Sequence, residues 1–270
     1  FSSGDIGKLY WGKVKNMKRN VLYLKPRTLL MLDTVVPAEK DVDVNVLYQT
    51  LRLQDITQGS SVSAIDKGGN MLHIHHLSPE HPKVAAVETP HYLYTLRGEY
   101  PLEKEGMLTL TARTRGNPLV IANLLTSTKE GEKPNVTSEQ GNGYVMGVTD
   151  GVTFVYSTRP GAVYTAGEFT TDALAGCSGD GETIFAAMAT EVSRNGNILV
   201  KSDAPLTFEL APNGMKYYRD APGWVTLGYN VKPKALTVNG KPVAGARYDE
   251  VKKTVTVDAP SGEGMIEMDY

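Results

Sequence analysis

The sequence predicts an all-β protein, built as a large antiparallel β-sandwich followed by a small C-terminal β module. Apolar and polar residues alternate with a period of two along most segments, which is the period of a β-strand. Turn residues such as Gly, Asn and Asp separate these segments at roughly regular intervals, and helical periodicity is nearly absent. We therefore expect a sandwich domain over residues 1–222 and the module over residues 223–270.

The first strands differ in how deeply they are predicted to be buried. Residues 28–36 (TLLMLDTVV) are apolar almost throughout, which is typical of a strand that is buried on both faces. Residues 42–48 alternate between valine or tyrosine and polar residues, which favours a strand with one face in the core. The aspartate in the first of these strands, Asp33, must be paired if it is buried, and Arg19 or a backbone turn is the expected partner.

Two hairpins carry clear turn signals. Residues 61–65 and 71–77 flank a turn that contains Gly68-Gly69, and residues 145–156 turn at Asp150-Gly151. Further on, residues 198–202 and 206–210 read as two separate strands. The tail continues with short strands around tight turns, as expected for a small terminal module.

Composition limits the function classes. The chain has 270 residues, of which 41% are hydrophobic and 21% are charged, as in an ordinary globular protein. No apolar run approaches the roughly 18 residues of a membrane span, so none is expected. Signatures of serine hydrolases, P-loop proteins and dinucleotide-binding folds are absent, and Cys177 has no histidine nearby in sequence. The chain opens without a leader, which is consistent with a mature or excised fragment.

Basic residues are concentrated at the start of the chain. Within residues 1–27, seven cations stand against Asp5 alone, a local charge of +6 in a chain whose net charge is −2. Such a strip can attract a polyanion, and Lys8, Lys13 and Arg19 are the candidate contacts, whereas nucleic acid is not an expected partner. The alternative is a solvated strand edge on which lysines prevent aggregation.

All five histidines fall within residues 73–91, and two of them share a strand face. His73 and His75 are two residues apart, about 6.6 Å along a strand, on a face that is predicted to be polar. Zinc-type sites use this spacing when a third ligand is supplied, and His91, Asp33 or a glutamate are possible third ligands. Polar residues that line a cleft without metal, and hydrogen-bonded strand histidines with no function, are the alternatives.

A second candidate group follows in the segment Thr89-Pro90-His91-Tyr92-Leu93-Tyr94. Alternation puts Tyr92 and Tyr94 on one face of a strand and His91 on the other. A tyrosine can act as an acid or base, and two in line can stack against a sugar, although tyrosines on such strands more often pack with an outward hydroxyl. We take His73, His75, His91 and Tyr92 as catalytic candidates and Tyr94 as a substrate contact.

Three stretches resemble a known family. They are Gly4-Asp5-Ile6 with Lys8 and Tyr10, the run from Arg19 through Tyr23-Leu24-Lys25-Pro26, and the apolar strand that ends in Asp33. Together they resemble the β-sandwich region of heparinase II/III-like polysaccharide lyases over about residues 4–130. The tail, with Leu236–Lys241 and Thr254–Val257, is loosely similar to the terminal β modules of such enzymes.

This resemblance implies a secreted or periplasmic bacterial enzyme that cleaves uronate-containing polysaccharide, of the glycosaminoglycan or alginate type, by β-elimination. In the family a tyrosine and a histidine serve as base and acid, and a divalent metal such as Zn, Mn or Ca often braces the sandwich. The helical α/α-toroid that supplies most of these residues is not in this sequence, so no family catalytic residue is carried onto a numbered position. We expect the isolated chain to need no cofactor and to be inactive until a toroid, on the same or a separate chain, completes it.

Two other functions remain open at this point. The chain can be a non-catalytic carbohydrate-binding or structural β module whose histidines are ordinary strand residues. It can also be an autonomous metal-dependent enzyme built on His73 and His75.

Overall fold

The computed structural model describes residues 1–10, 12–40, 42–50, 52–56, 60–64, 68–89, 92–95, 98–101, 105–113, 119–179 and 182–270. The chain divides into a first unit, Phe1–Asn135, and a second unit, Val136–Tyr270. Both are built from antiparallel strands, which confirms the predicted all-β class. No helix in these described ranges is long and apolar enough to cross a membrane.

The first unit contains a 3₁₀ turn at Gly7–Tyr10 and the strands β1 to β12. Their bounds are β1 Ser2–Asp5, β2 Val14–Leu24, β3 Thr28–Pro37, β4 Asp43–Thr50, β5 Arg52–Ile56, β6 Ser60–Ala64, β7 Asn70–Ser78, β8 Lys83–Thr89, β9 Tyr92–Thr95, β10 Gly98–Pro101, β11 Glu105–Arg113 and β12 Leu119–Lys129.

Two sheets form the body of the first unit. Among its described residues, seven strands pair in the order β1-β2-β3-β12-β7-β6-β5, and three pair in the order β4-β11-β8. Their facing sides share a core cluster of Met17, Val35 and Ile121 from the larger sheet and Val44, Val46 and Ala112 from the smaller one. The first unit is therefore a sandwich of two antiparallel sheets, as the alternating pattern predicts.

The strands of this unit confirm the two predicted degrees of burial. In β3, Leu30 and Leu32 are buried on one face, while Asp33 and Val35 are buried on the other. In β4, Val44 and Val46 face the core and the intervening Leu47 is exposed. The predicted hairpin also forms, because β6 pairs with β7 antiparallel.

The second unit contains strands β13 to β27. Their bounds are β13 Val136–Gln140, β14 Tyr144–Thr149, β15 Val152–Ser157, β16 Tyr164–Ala166, β17 Phe169–Thr171, β18 Ala175–Ser178, β19 Ile184–Arg194, β20 Asn197–Ala211, β21 Gly214–Arg219, β22 Gly223–Gly228, β23 Ala235–Val238, β24 Lys241–Pro242, β25 Arg247–Asp249, β26 Thr254–Ala259 and β27 Gly262–Asp269.

Strand β20 organises the second unit. One edge of β20 pairs with β19, and the other pairs first with β22 and then with β21. One layer continues from β22 to β26 and β25, and the other from β21 to β27 and β23. Buried side chains from both layers, including Leu227, Val255, Met215 and Ile266, share one core.

One expectation about this part of the chain needs revision. The strands predicted at 198–202 and 206–210 are one continuous strand, because Pro205 lies where β20 changes partners and where no ladder pairing requires its missing N–H group. The structure divides the chain into compact units after Asn135, and the domain boundary expected at residue 223 stays a prediction. Strands β22 to β27 belong to the same hydrogen-bonded sheet system as β20 and β21.

The hairpin predicted at Asp150-Gly151 is confirmed. Strands β14 and β15 pair antiparallel, and both turn residues have positive φ, 49° and 81°. Two consecutive residues in this conformation match the turn type that suits the twist of a hairpin.

Candidate functional site

Strand β7 carries three of the five histidines and lies between β12 and β6. The pairing confirms the predicted alternation: His73 and His75 share one face, and His76 lies on the other, opposite Asn123 of β12. The histidine strand is therefore an interior strand of the seven-stranded sheet, with neighbours on both sides.

We expected His73 to lie on a solvent-exposed face, and this prediction is wrong. Its side chain lies in the interior at 7% exposure, and its Nε2 atom is 2.9 Å from Thr128 Oγ1. Burial lowers the pKa of His73, so the imidazole is neutral at pH 7. The prediction of a solvent-exposed face was wrong because the burial of a strand face depends on what packs over it. The sequence of the strand alone does not show which face is covered.

His75 is half-buried, and its Nε2 atom is sealed from solvent with no hydrogen bond to the described residues. Burial is the main cause that lowers the pKa of His75, and the neighbouring His73 and His76 lower it further. The described residues thus supply no carboxylate to orient this imidazole, as a general base needs.

His76 forms the most specific contact of the three. His76 Nδ1 is 2.7 Å from Asn123 Oδ1, and both side chains are buried. Burial lowers the pKa of His76, and its Nε2 and the Nδ2 of Asn123 have no hydrogen-bond partner in the described part of the chain. Sequence reasoning missed Asn123, although a lone amide in the apolar stretch LVIANLL is a signal that a buried polar contact is needed.

The structure gives the metal hypothesis no support among the residues it describes. No group of three His, Cys, Asp or Glu side chains in these ranges could hold a metal ion. Of the expected third ligands, Asp33 is engaged with Arg19, and His91 lies outside the described residues. Tyr92 and Tyr94 lie in β9, of which only the backbone is described.

Arg19 and Asp33 form the predicted ion pair across β2 and β3. Arg19 Nε and Nη2 donate to Asp33 Oδ1 and Oδ2, both at 2.7 Å, which is a bidentate geometry. The Asp33 side chain is 1% exposed and that of Arg19 is 39% exposed. A buried carboxylate thus holds one edge of the guanidinium, while the group reaches solvent.

Tyr48 of β4 lies in the electrostatic field of this pair. Burial first, and then the Asp33 carboxylate, raises the pKa of Tyr48, so its hydroxyl remains protonated at any physiological pH. That hydroxyl is buried and makes no hydrogen bond to the described residues. Tyr48 can therefore donate a hydrogen bond but cannot serve as a base.

Exposed lysines surround the start of β2. The 3₁₀ turn packs tightly on this strand, since Gly7 N–H donates to Asp5 Oδ1 at 2.9 Å and a Cβ on Gly7 would lie 3.0 Å from the Met17 backbone nitrogen. We define the lysine edge by its exposed members, which form no ion pair with the described residues: Lys8, Lys13, Lys15 and Lys18. The turn that contains Lys8 packs on β2, the strand that carries Lys15, Lys18 and Arg19.

Cys177 is a poor nucleophile. Burial raises the pKa of its thiol to about 11, so less than about 1 in 1,000 molecules carries the thiolate at pH 7. This agrees with the sequence-based expectation that Cys177 is not catalytic.

The fold and this site define an antiparallel β-sandwich protein with a cationic edge and a buried, neutral histidine strand. No protein-family model matches the chain, and no curated protein matches it significantly.

Proposed function

We propose that the chain is the β-sandwich portion of a heparinase II/III-like polysaccharide lyase, and that it binds the anionic polysaccharide along the lysine edge. The single observation that carries this proposal is the set of exposed lysines that form no ion pair with the described residues and lie in the chain near Arg19, whose guanidinium is fixed by a buried carboxylate. In this proposal the parent enzyme is secreted or periplasmic, and it cleaves uronate-containing chains by β-elimination.

The residues behind the family resemblance support the proposal because they act together in the fold. Asp5 and Gly7 stabilise the turn that contains Lys8 and packs on β2, and Arg19 pairs with Asp33 on the next strand. Asp5 accepts a hydrogen bond in the turn, Gly7 leaves room for the β2 backbone, and Asp33 fixes Arg19. The resemblance therefore concerns a connected piece of structure as well as a pattern of letters.

Arg19 can neutralise a uronate carboxylate. Its Nε and Nη2 atoms are directed at Asp33, and because the side chain is 39% exposed, Nη1 remains for a second acceptor. Abstraction of the proton next to a carboxylate requires that its negative charge be stabilised, and a fixed guanidinium provides this without reorganisation. Asp33 is then a positioning residue for Arg19.

Proton transfer is assigned to the toroid that would complete the enzyme. His73 and His76 are buried, and the pKa values of all three described histidines of β7 are lowered. An acid that protonates a leaving glycan oxygen must reach the substrate, and these imidazoles lie inside the sheet. The metal expected for the parent enzyme stays a prediction.

The binding test uses the whole chain and a panel of heparin, chondroitin sulfate, hyaluronan and alginate. Replacing Lys8, Lys13, Lys15 and Lys18 by Gln should weaken binding of the preferred polyanion about ten- to hundredfold and flatten its salt dependence, since fewer counterions are released. The matched control replaces the exposed lysines Lys234 and Lys241 by Gln and should leave affinity within about twofold. Equal losses in both variants would contradict the lysine edge.

The activity test requires the parent enzyme. Offered the same polysaccharides, it should produce the absorbance of unsaturated uronate products. The lyase proposal fails if none of the four yields this signal while the Lys variants still lose binding.

The second candidate is a non-catalytic carbohydrate-binding or structural module. The observation that favours it is the burial of His73 and His76, so that neither of these two histidines of β7 is available as an exposed acid or base. Glycan binding that survives His73→Ala and His76→Ala, combined with a parent enzyme that is inactive on uronates, would select this alternative.

A further inference from the structure

The second unit has a cleft of about 560 Å³ between its two layers. Both ends of β20 contribute to it, through Asn197 at the start and Leu210 at the end, together with Tyr229 after β22. Because the two halves of β20 pair with different layers, the residues at its two ends belong to different walls of the cleft. The volume lies within the usual range of about 300–1,000 Å³ for small-molecule sites.

An ion pair between Arg219 and Asp203 stabilises the middle of β20, and the cleft lies at the two ends of the strand. Arg219 is 1% exposed and donates to Asp203 Oδ1 at 2.7 Å and to two backbone carbonyl oxygens. A Cβ at Gly223 would overlap the Asp203 carboxylate, so a glycine there allows the layers to approach. The cleft is therefore a consequence of the branching at β20.

The lining combines an apolar floor with a cationic rim. Leu199, Leu210 and Met268 form part of the floor, and Lys252 and Lys253 stand on the turn before β26. Apolar surface with a few convergent polar groups is the usual lining of a ligand site. Asn197 and Asn230 add amides that can bind hydroxyl groups.

The lysine turn is held against the wall of the cleft. Tyr229 N–H donates to the Lys253 carbonyl oxygen at 2.9 Å, and Lys253 has a φ of 52°, a left-handed conformation that lysine rarely adopts. Lys253 forms no ion pair with the described residues, and Lys252 lies 3.8 Å from Asp249 Oδ2. Such conformations persist where the surrounding structure holds them, and they concentrate at ligand sites.

Asp249 offsets part of this positive charge, and two further charged side chains line the cleft. Arg194 is already paired with Glu168 and lies over the Phe169 ring at 5.2 Å. Glu182 is the acidic residue of the lining. Tyr229 is part of the wall, and its hydroxyl is buried away from the cleft opening with no hydrogen bond to the described residues.

We propose that this cleft binds one acidic sugar, with its carboxylate on Lys252 and Lys253 and its hydroxyl groups on the asparagine amides. The anionic, hydroxyl-rich class follows from the lining. The choice of a uronate rests on the proposed function. The cleft is a second carbohydrate site, on a different unit from the lysine edge.

The test uses the whole chain, titrated with glucuronate and, as the neutral control, glucose, and observed by backbone amide NMR. Glucuronate should shift the amides of Gly228, Tyr229 and Lys253, and glucose should bind at least about tenfold more weakly. The double variant Lys252→Gln with Lys253→Asn removes both charges, and asparagine tolerates the left-handed conformation. It should lose about tenfold or more in affinity, whereas Lys241→Gln outside the cleft should lose none.

Each outcome bears on one proposal. Three outcomes would contradict the proposal that the cleft binds an acidic sugar. They are amide shifts confined to the lysine edge, equal binding of glucose and glucuronate, and unchanged affinity in the double variant. If the cleft binds sulfate as tightly as glucuronate, the sugar hydroxyl groups add nothing to the affinity. That result would contradict the proposal that the ligand is an acidic sugar. A negative lyase assay would not change the amide shifts that glucuronate causes in the cleft. The lyase proposal and the cleft proposal can therefore be contradicted independently.

Discussion

The two units each contain a buried arginine–aspartate pair, and the pairs are oriented in opposite ways. In the first unit Asp33 is buried and Arg19 reaches solvent, with side-chain exposures of 1% and 39%. In the second unit Arg219 is buried and Asp203 reaches solvent, with exposures of 1% and 33%. Which member of the pair is exposed to solvent determines whether the arginine can bind an external anion. Arg19 can offer a donor to an anion, whereas Arg219 uses its donors within the fold.

The largest expected effect is the loss of the exposed member of either pair. Arg19→Met leaves the Asp33 carboxylate buried and unpaired, and Asp203→Ala does the same to the Arg219 guanidinium. Each should lower the free energy of unfolding by about 3–5 kcal/mol. Urea denaturation followed by hydrogen exchange in each unit measures this.

Within the first pair, the comparison predicts that losing the buried Asp33 costs less stability than losing the exposed Arg19. Asp33→Leu leaves Arg19 able to turn to solvent and should cost clearly less than Arg19→Met. The double variant Arg19→Met with Asp33→Leu should recover most of the loss, because well-packed apolar residues often replace a buried pair without cost. Equal costs for the two single variants would show that both groups are effectively buried.

A smaller effect is expected from two glycines that neighbour these arginines. Gly223→Ala would place a Cβ against Asp203 and Arg219 and should cost about 1–3 kcal/mol through overpacking. Gly4 lies opposite Arg19 in the sheet, and a Cβ at Gly4 would have no other atom within 4 Å, so Gly4→Ala should change stability by less than about 0.5 kcal/mol. Chemical denaturation distinguishes the two, and a costly Gly4→Ala would mean that the space beside Arg19 is closed.

The last expected effect is a dependence of stability on acid pH. All five histidines belong to the first unit, and burial lowers the pKa of His73, His75 and His76. Lowered folded-state pKa values mean that the unfolded chain binds more protons below its ordinary pKa of 6.5. Stability is therefore complete above about pH 6.5 and falls as the pH drops toward the folded-state values, by at most about 1.4 kcal/mol per pH unit for each histidine.

Hydrogen exchange at about pH 7.5 and about pH 5 checks this, because only the first unit should lose protection through histidine. His73→Gln should reduce the pH dependence. The control His81→Asn changes an exposed turn residue and should not. Equal acid sensitivity of both units would assign the effect to carboxylates.

Sequence patterns predicted much of the fold because strand periodicity and turn chemistry act locally. The two hairpins follow from residues that adopt positive φ at their turns, as at Asp150-Gly151. The pairing of Asp33 with Arg19 follows from a general rule, since a carboxylate in an apolar strand needs a cation or hydrogen bonds. Continuity of β20 through Pro205 was not predictable, because it depends on which strands lie beside it.

The candidate site was predicted less well. The basic residues lie at the surface as their type indicates, but the histidine strand is interior. His76 and Asn123 are 47 residues apart and meet only because β7 pairs with β12 in one register. The cleft of the second unit joins residues from Glu182 to Tyr270, none of which forms a local motif.

By itself, the sequence determined the β class, the turns, the cationic start of the chain and the need to pair Asp33. Only the tertiary structure decided which histidines are buried, which member of each ion pair meets solvent and where a cleft opens. The physical reason is that backbone periodicity and turn conformation depend on a few adjacent residues. Solvent access and electrostatic surroundings depend on strands that are distant in sequence and adjacent only after folding.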